Sequence, residues 1–409
     1  MITIFHVADI HFGVENYGKI DQKTGIHSRL LDFKHALEQC IDQAIEEKID
    51  LFLLCGDAYK SAYPTPTQQK LLLESLLKLH AAKIPVVIVI GNHDHPLSFG
   101  KAHALDLLDY LPLNTFHVFS KPNYLTITTN HGPLQIVGVP WPTRNTLLAH
   151  QQHHLKEHTE ITSYISEKVG QVIQSLAQEL DPSLPAILAG HLTVSSGIFS
   201  GSEKTAIFGS DPIFLPSQLA IKPFDYVALG HLHRYQNIHQ KGSIPIVYSG
   251  SIERIDFGER KEEKGFCRIH LTSDKKCEYD FVPIKTRPMI QFDIMLEQEK
   301  DQTKQILEHL QAKDISDAIV KIVYHVPEGA QDTVDLYAVQ LACKKAAYLA
   351  GIFPVHKIAP RPQRAQLKVD MDLKTLVTSY FETKQEFSDE KKGLLIQKAL
   401  HLHQTIDQQ

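Results

Sequence analysis

Short apolar runs recur through the first 235 residues, and Asp, Asn or His follows each of them. TIFHVADIHFG (3–13), DLFLLCGDAY (50–59), IPVVIVIGNHDHP (84–96), PAILAGHLTV (185–194) and DYVALGHLHRY (225–235) each read as a strand running into a loop. Amphipathic segments separate them. In RLLDFKHALEQCIDQAIEEKI, residues Leu30, Phe33, Leu37, Ile41 and Ile45 share one helical face. A second helix carries its own start signal, with Thr65 as cap, Pro66 at the first helical position and Gln68 completing a capping box. Continuous apolar strands alternating with such helices predict an α/β fold whose strands are covered on both faces.

Ligand groups in folds of this kind gather beyond the strand ends. Residues i and i+2 of an extended segment point to the same side, so His231 and His233 can converge. The same reasoning brings Asp9, His11, Asp57, Asn92, His93 and His191 towards one crevice. Helix and turn caps would explain the Asp and Asn but not the histidines. The pattern therefore predicts a metal site. Carboxylate, amide and imidazole without thiolate is unlike a cysteine-rich structural zinc site. Seven ligands besides His93 are too many for one ion and suit two, which lie roughly 3.5–4 Å apart in sites that hydrolyse phosphate esters.

Composition narrows the setting. A formal net charge of -5 gives no global basic field, although a local basic groove is enough for nucleic acid. Five cysteines form no CxxC pair, and Cys40 and Cys55, in apolar periodic segments, read as reduced core thiols. The N-terminal MITIFHVADIHFG lacks a basic n-region, and no apolar run reaches 18 residues, so a cytoplasmic protein is expected. GIFSGSEKT (197–205) fails the phosphate-loop pattern at Ser202 and Glu203, which assigns any ATP use to a partner chain.

D-x-H, GD, GNHD, a lone His and GH-x-H, in this order, resemble the calcineurin-like metallophosphoesterase superfamily. A strand-end GD followed by a PTPTQ helix, and YSGSIERIDFGE at 248–259, look like the SbcD group of double-strand-break repair nucleases within it. The resemblance implies a sandwich of two central sheets flanked by helices, a small α+β capping domain and a C-terminal helical tail. It implies that Asp9, His11 and His233 hold one metal, that Asn92, His191 and His231 hold the other, and that Asp57 bridges them. Manganese is the usual metal of the group, with magnesium the alternative. His93 would contact the scissile phosphate and help protonate the leaving oxygen, and Asp94 would orient its ring. Some members carry a second functional His three positions after the bridging Asp; Lys60 stands there in this chain. The implied activity is cleavage of DNA phosphodiesters in repair, recombination and replication: exonuclease on duplex ends, endonuclease on single strands and hairpins. The implied assembly is a homodimer within a heterotetramer with an SbcC-type coiled-coil ATPase.

Residues 1–285 are thus expected to form the nuclease domain, 286–366 a capping domain that frames DNA, and 367–409 partner-binding helices. In the second segment MIQFDIML alternates, DQTKQILEHLQA and DLYAVQLACKKAAYLA read as helices, DAIVKIVYHV and FPVHKI as strands, and APRPQRAQ (359–366) as a linker. In the tail, Leu373, Leu376, Val377, Tyr380 and Phe381 form one apolar helical stripe, and Phe387, Leu394, Leu395, Ala399 and Leu402 a second. Arg144, Arg234, Arg254, Arg260 and Lys261 are candidate phosphate contacts near the site. The rival readings are an esterase of small phosphodiesters or phosphoproteins, and a non-catalytic scaffold that tethers DNA.

Overall fold

The computed structural model describes residues 1–96, 101–143, 158–201, 211–238, 244–356, 373–382 and 387–406. Strands β1 (Ile2–Val7), β2 (Leu51–Cys55), β3 (Val86–Val89) and β4 (Phe116–Phe119) lie parallel in one sheet. A second sheet has β5 (Asn123–Thr129) at one edge. Its central strands β6 (Gly132–Val139), β7 (Ala186–His191), β10 (Tyr226–Gly230) and β12 (Ile246–Tyr248) are parallel. Strand β11 (Gln236–Asn237) closes the other edge, giving the order β11-β12-β10-β7-β6-β5. The short strands β8 (Thr193–Val194) and β9 (Ile213–Phe214) pair only with each other. Antiparallel β13 (Gly265–Leu271) and β14 (Cys277–Pro283) extend the first sheet to the order β14-β13-β1-β2-β3-β4.

Alternation along the strands builds three apolar layers. Leu51, Leu53 and Cys55 of β2 face Ile187, Ala189 and Ala228 in a core between the sheets. Phe52 and Leu54 face the other way, against Phe33, Leu37 and Ile41 of the helix Ser28–Glu46 and Leu72 and Leu76 of the helix Pro66–Ala81. Beyond the second sheet, Leu188 and Val227 pack on Ile165, Val169 and Ile173 of the helix His158–Glu179. Strands buried on both faces leave only their ends for chemistry. The helix at Pro66 starts as its sequence predicts: Thr65 Oγ1 accepts from the Gln68 amide, and Gln68 Oε1 from the Thr65 amide.

Close contacts divide the chain into two units. Unit one comprises Met1–Phe292 with Leu310–Ile322 and Gln340–Gly351; unit two comprises Asp293–His309, Val323–Val339 and Ile352–Gln409. The division passes through the strands β15 (Met289–Met295), β16 (Ile319–Val326) and β17 (Tyr348–His356), which form a sheet in that order. The helix expected over DLYAVQLACKKAAYLA is shorter than its pattern suggests. It ends at Ala342, a 3-10 turn covers Cys343–Lys345, Ala346 is extended, and Tyr348 already belongs to β17. Pairing along a sheet edge outweighs the helix preference of the alanines and lysines there.

In unit two, helices Leu373–Glu382 and Asp389–Ile406 form the tail. Phe381 meets Phe387 with ring centroids 6.4 Å apart, while Tyr380 and Leu394 remain exposed. Among the described residues no helix is long and apolar enough to cross a membrane. Arg144, the His-rich 151–157 segment, 202–205 and the 359–366 linker lie outside the described residues.

Candidate metal centre

All eight strand-end residues meet at one end of the sandwich. The loops after β1 and β2 run side by side, with the Asp9 amide bonded to the Gly56 carbonyl at 3.1 Å and the His11 amide to the Asp57 carbonyl at 2.9 Å. To turn the side chains inwards, Asp9, His11, Asp57 and His231 all adopt positive φ, at 52°, 49°, 52° and 104°. Such backbone costs of the order of 1–3 kcal/mol per residue and concentrates at functional sites. Two glycines are required by close approach. A Cβ on Gly91 would stand 2.1 Å from Asp57 Oδ1, and one on Gly230 would stand 1.9 Å from the Cys55 carbonyl oxygen.

One half of the cluster is Asp9, His11 and His233, whose ligand atoms lie within 4.8 Å of one another. His11 Nε2 faces His233 Nε2 at 3.0 Å. The other half holds His191, whose Nε2 is 2.9 Å from Asn92 Oδ1, and His231, whose Nδ1 is 3.3 Å from the same oxygen. Asp57 stands between: its Oδ2 is 3.5 Å from His11 Nε2 and 3.4 Å from His191 Nε2. Asp9, His11, Asp57, His191, His231 and His233 are buried and Asn92 is half-buried, whereas the His93 side chain is 46% exposed, with Nε2 4.0 Å from Asp57 Oδ2. His93 is thus the imidazole of the cluster that meets solvent.

The hydrogen bonds around the rings test whether cations fit. His191 Nδ1 donates to the Cys55 carbonyl at 2.9 Å, so a neutral ring turns its Nε2 lone pair towards the oxygens of Asn92 and Asp57. His233 Nδ1 donates to Glu259 Oε1 at 2.9 Å, which turns the other lone pair towards His11. Lone pairs and oxygens converging in a buried pocket, without thiolate, form a donor set for hard or borderline divalent ions.

The electrostatics follow the same geometry. Burial raises the Asp9 carboxyl above its usual range and pushes the His11 imidazole well below its own. Burial alone would raise Asp57 as well, but His191, His11 and His93 hold it far below the carboxylate range. Burial would depress His191, and Asp57 and Asp9 overcome it and raise the ring instead. Two carboxylates shifted in opposite senses within one pocket are strongly coupled charges that a bound cation would relieve.

A calcineurin-like phosphoesterase model matches residues 2–235. The chain belongs to that family. The matched span carries all the phosphoesterase's strand-end residues, Asp9 to His233. Two solved structures are similar to it. A dimetal phosphatase from Danio rerio is 10% identical, over 66% of this chain and 92% of that one, with a TM-score of 0.37. The protein TT1561 of Thermus thermophilus is 15% identical, over 68% and 98%, with a TM-score of 0.36. The two-sheet α/β sandwich is the family's fold, and the clustered His and Asp residues form a candidate two-metal site.

Two expectations about this phosphoesterase change. Asp94 does not orient the His93 ring. Its carboxylate accepts from the amides of Ala58, Tyr59 and Gly91 at 3.2, 2.9 and 3.1 Å, pinning two ligand loops together. The His93 ring is held by the Lys60 carbonyl, 3.0 Å from Nδ1, so the side chain at position 60 plays no part in that bond. Arg254 is not a phosphate contact. Its guanidinium donates to Thr286 Oγ1 and to the Glu262 carbonyl within the fold. Arg234 and Lys261 are exposed, and Arg260 donates to the Phe257 carbonyl at 2.8 Å.

The structure also adds residues. Glu259 is fully buried and joins His233 to Lys264 through a 2.8 Å ion pair. Burial would raise its carboxyl, but Lys264 and His233 hold it down to about 2. Asp211 Oδ2 lies 3.4 Å from His231 Nε2, and the Trp141 ring lies 4.8 Å from the His231 ring. Glu259 falls inside YSGSIERIDFGE, yet nothing local marks it as a histidine partner.

Proposed function

We propose that this phosphoesterase is a DNA nuclease subunit of the SbcD type, cutting duplex ends as an exonuclease and single strands and hairpins as an endonuclease. The observation that supports this most is the double cluster around Asp57 with one solvent-facing imidazole, His93, at its rim. Asp9, His11 and His233 would hold one divalent ion and Asn92, His191 and His231 the other, with Asp57 shared and manganese the metal used. Bound ions of this kind polarise phosphoryl oxygens and lower the pKa of water.

The chain's own groups do the rest. Glu259 and the Cys55 carbonyl fix which nitrogen of His233 and His191 faces the cluster. With Nδ1 tied to the Lys60 carbonyl, His93 presents Nε2 to the open side. A ring protonated there can donate to a phosphate oxygen and pass the proton to the leaving oxygen. We assign residues 1–285 to this chemistry, 286–366 to framing DNA and 367–409 to an SbcC-type coiled-coil ATPase, in a cytoplasmic assembly of two copies of each chain. Tyr380 and Leu394, exposed on the tail helices, suit helix-in-groove binding.

The test is cleavage of end-labelled duplex DNA with manganese, beside a small chromogenic diester and a chelated control. Metal-dependent shortening from the ends supports the reading. Hydrolysis of the small diester with duplex DNA untouched would assign the esterase alternative, and inactivity on both would leave a scaffold.

A further inference from the structure

A hollow of about 310 Å³ is walled by Trp141, Pro122, Pro140, Pro142, His95 and Lys121. It shares a wall with the ligand cluster, because the Trp141 ring lies 4.8 Å from the His231 ring and 6.0 Å from the His191 ring. The platform is rigid. The Trp141 amide donates to the Ile90 carbonyl at 2.9 Å, and a proline on each side restricts the backbone. Its size falls at the lower end of the roughly 300–1,000 Å³ of small-ligand pockets, the scale of a single nucleoside. Lys121 stands on a rim shared with a second hollow lined by residues 117–125, where a neighbouring phosphate can be met.

We propose that this hollow is a base-stacking subsite, which takes one unpaired nucleobase from the strand whose phosphate lies on the cluster. The proposal rests on the nucleic-acid reading above and adds the position of the base. Stacking on an aromatic face is tolerant of sequence, as every base has a π-face. The subsite requires the base beside the reacting phosphate to leave its partner, so that cutting at a duplex end includes fraying of that end.

Trp141 is the single tryptophan of the chain, so intrinsic fluorescence reports this hollow directly. The manganese-loaded full chain is titrated with deoxyadenosine monophosphate and, separately, with deoxyribose 5-phosphate, which lacks a base. The expected result is saturable quenching by the nucleotide and at least about tenfold weaker binding of the base-free phosphate. Val172→Phe, which fills the hollow from the helix behind it, should weaken the nucleotide about tenfold and leave deoxyribose phosphate unchanged. Equal affinity and equal quenching by the two ligands in the wild-type chain would overturn the proposal without any variant. Base-dependent quenching in a chain that cuts no DNA would retain the subsite and remove the nuclease reading. Cleavage of DNA without base-dependent quenching would do the reverse.

Discussion

Each half of the candidate metal cluster pairs two histidines with one oxygen ligand, Asp9 in one and Asn92 in the other, and the two are held by different means. In the Asp9–His11–His233 half, His233 leans on Glu259, a fully buried carboxylate anchored by Lys264. In the Asn92–His191–His231 half, His191 leans on a neutral backbone carbonyl, and His231 meets Asp211 at 3.4 Å and Trp141. A buried charged brace fixes tautomer and orientation more firmly than a carbonyl or a longer contact at the rim. The difference suggests one ion site set by the protein interior and another that borders the substrate. Each half draws ligands from both sheets, so neither exists until the sandwich has closed.

The largest expected effect removes what the halves share. Asp57→Ala should lose both ions and lower diester hydrolysis by at least about 10³-fold, or some 4 kcal/mol of barrier. Elemental analysis beside steady-state rates checks this, and retention of two ions would deny the shared role. Glu259→Gln comes next. It should weaken one ion about 10–100-fold and spare the other, while Asp211→Asn should cost less than about tenfold, at the opposite ion. Calorimetric metal titration of the two variants separates the sites; a greater loss for Asp211→Asn would reverse the proposed contrast.

The smallest effect at neutral pH concerns His6, which joins the sheets that feed both halves. Its Nε2 bonds the Leu229 carbonyl at 3.1 Å between the sheets. Burial depresses its pKa to about 3, with that bond opposing the shift. Because the folded value lies below the free value of about 6.5, the unfolded chain binds the extra proton first. The contribution is complete above about pH 6.5 and is lost as pH falls towards 3. His6→Gln should therefore flatten the acid side of the stability curve by up to about 1.4 kcal/mol per pH unit, as measured by urea unfolding. An unchanged slope would show that His6 is not held neutral.

Strand-end chemistry was legible because each ligand sits at the end of a strong apolar run or within four residues beyond it, where polar side chains have no packing reason to recur. The cap at Thr65 was legible for a similar reason, being local in sequence. Partners set by tertiary contact were not. Glu259 stands 26 residues from His233 and Asp211 stands 20 from His231, and each reads as a solvated acid until the fold buries it. Adjacency in sequence suggests that Asp94 touches the His93 ring, whereas the backbone turn sends its carboxylate to the amides behind. Arg254 carries the same lesson: a basic residue near a site in sequence can turn to polar partners within the fold. The strand at Tyr348 was hidden by alanines that suit a helix until an edge offers pairing.

Holding metal and performing chemistry fall to different residues of this site, and His93 is where the two part. Its ring is held by the Lys60 carbonyl and exposed to solvent, outside both ligand sets. The most direct measurement is the metal content of purified His93→Ala by elemental analysis, with its rate on duplex ends recorded from the same preparation. The expected result is two ions per chain, as in the wild-type protein, with cleavage reduced about 10²–10⁴-fold. Loss of either ion from the variant, or cleavage at the wild-type rate with both ions present, would contradict it.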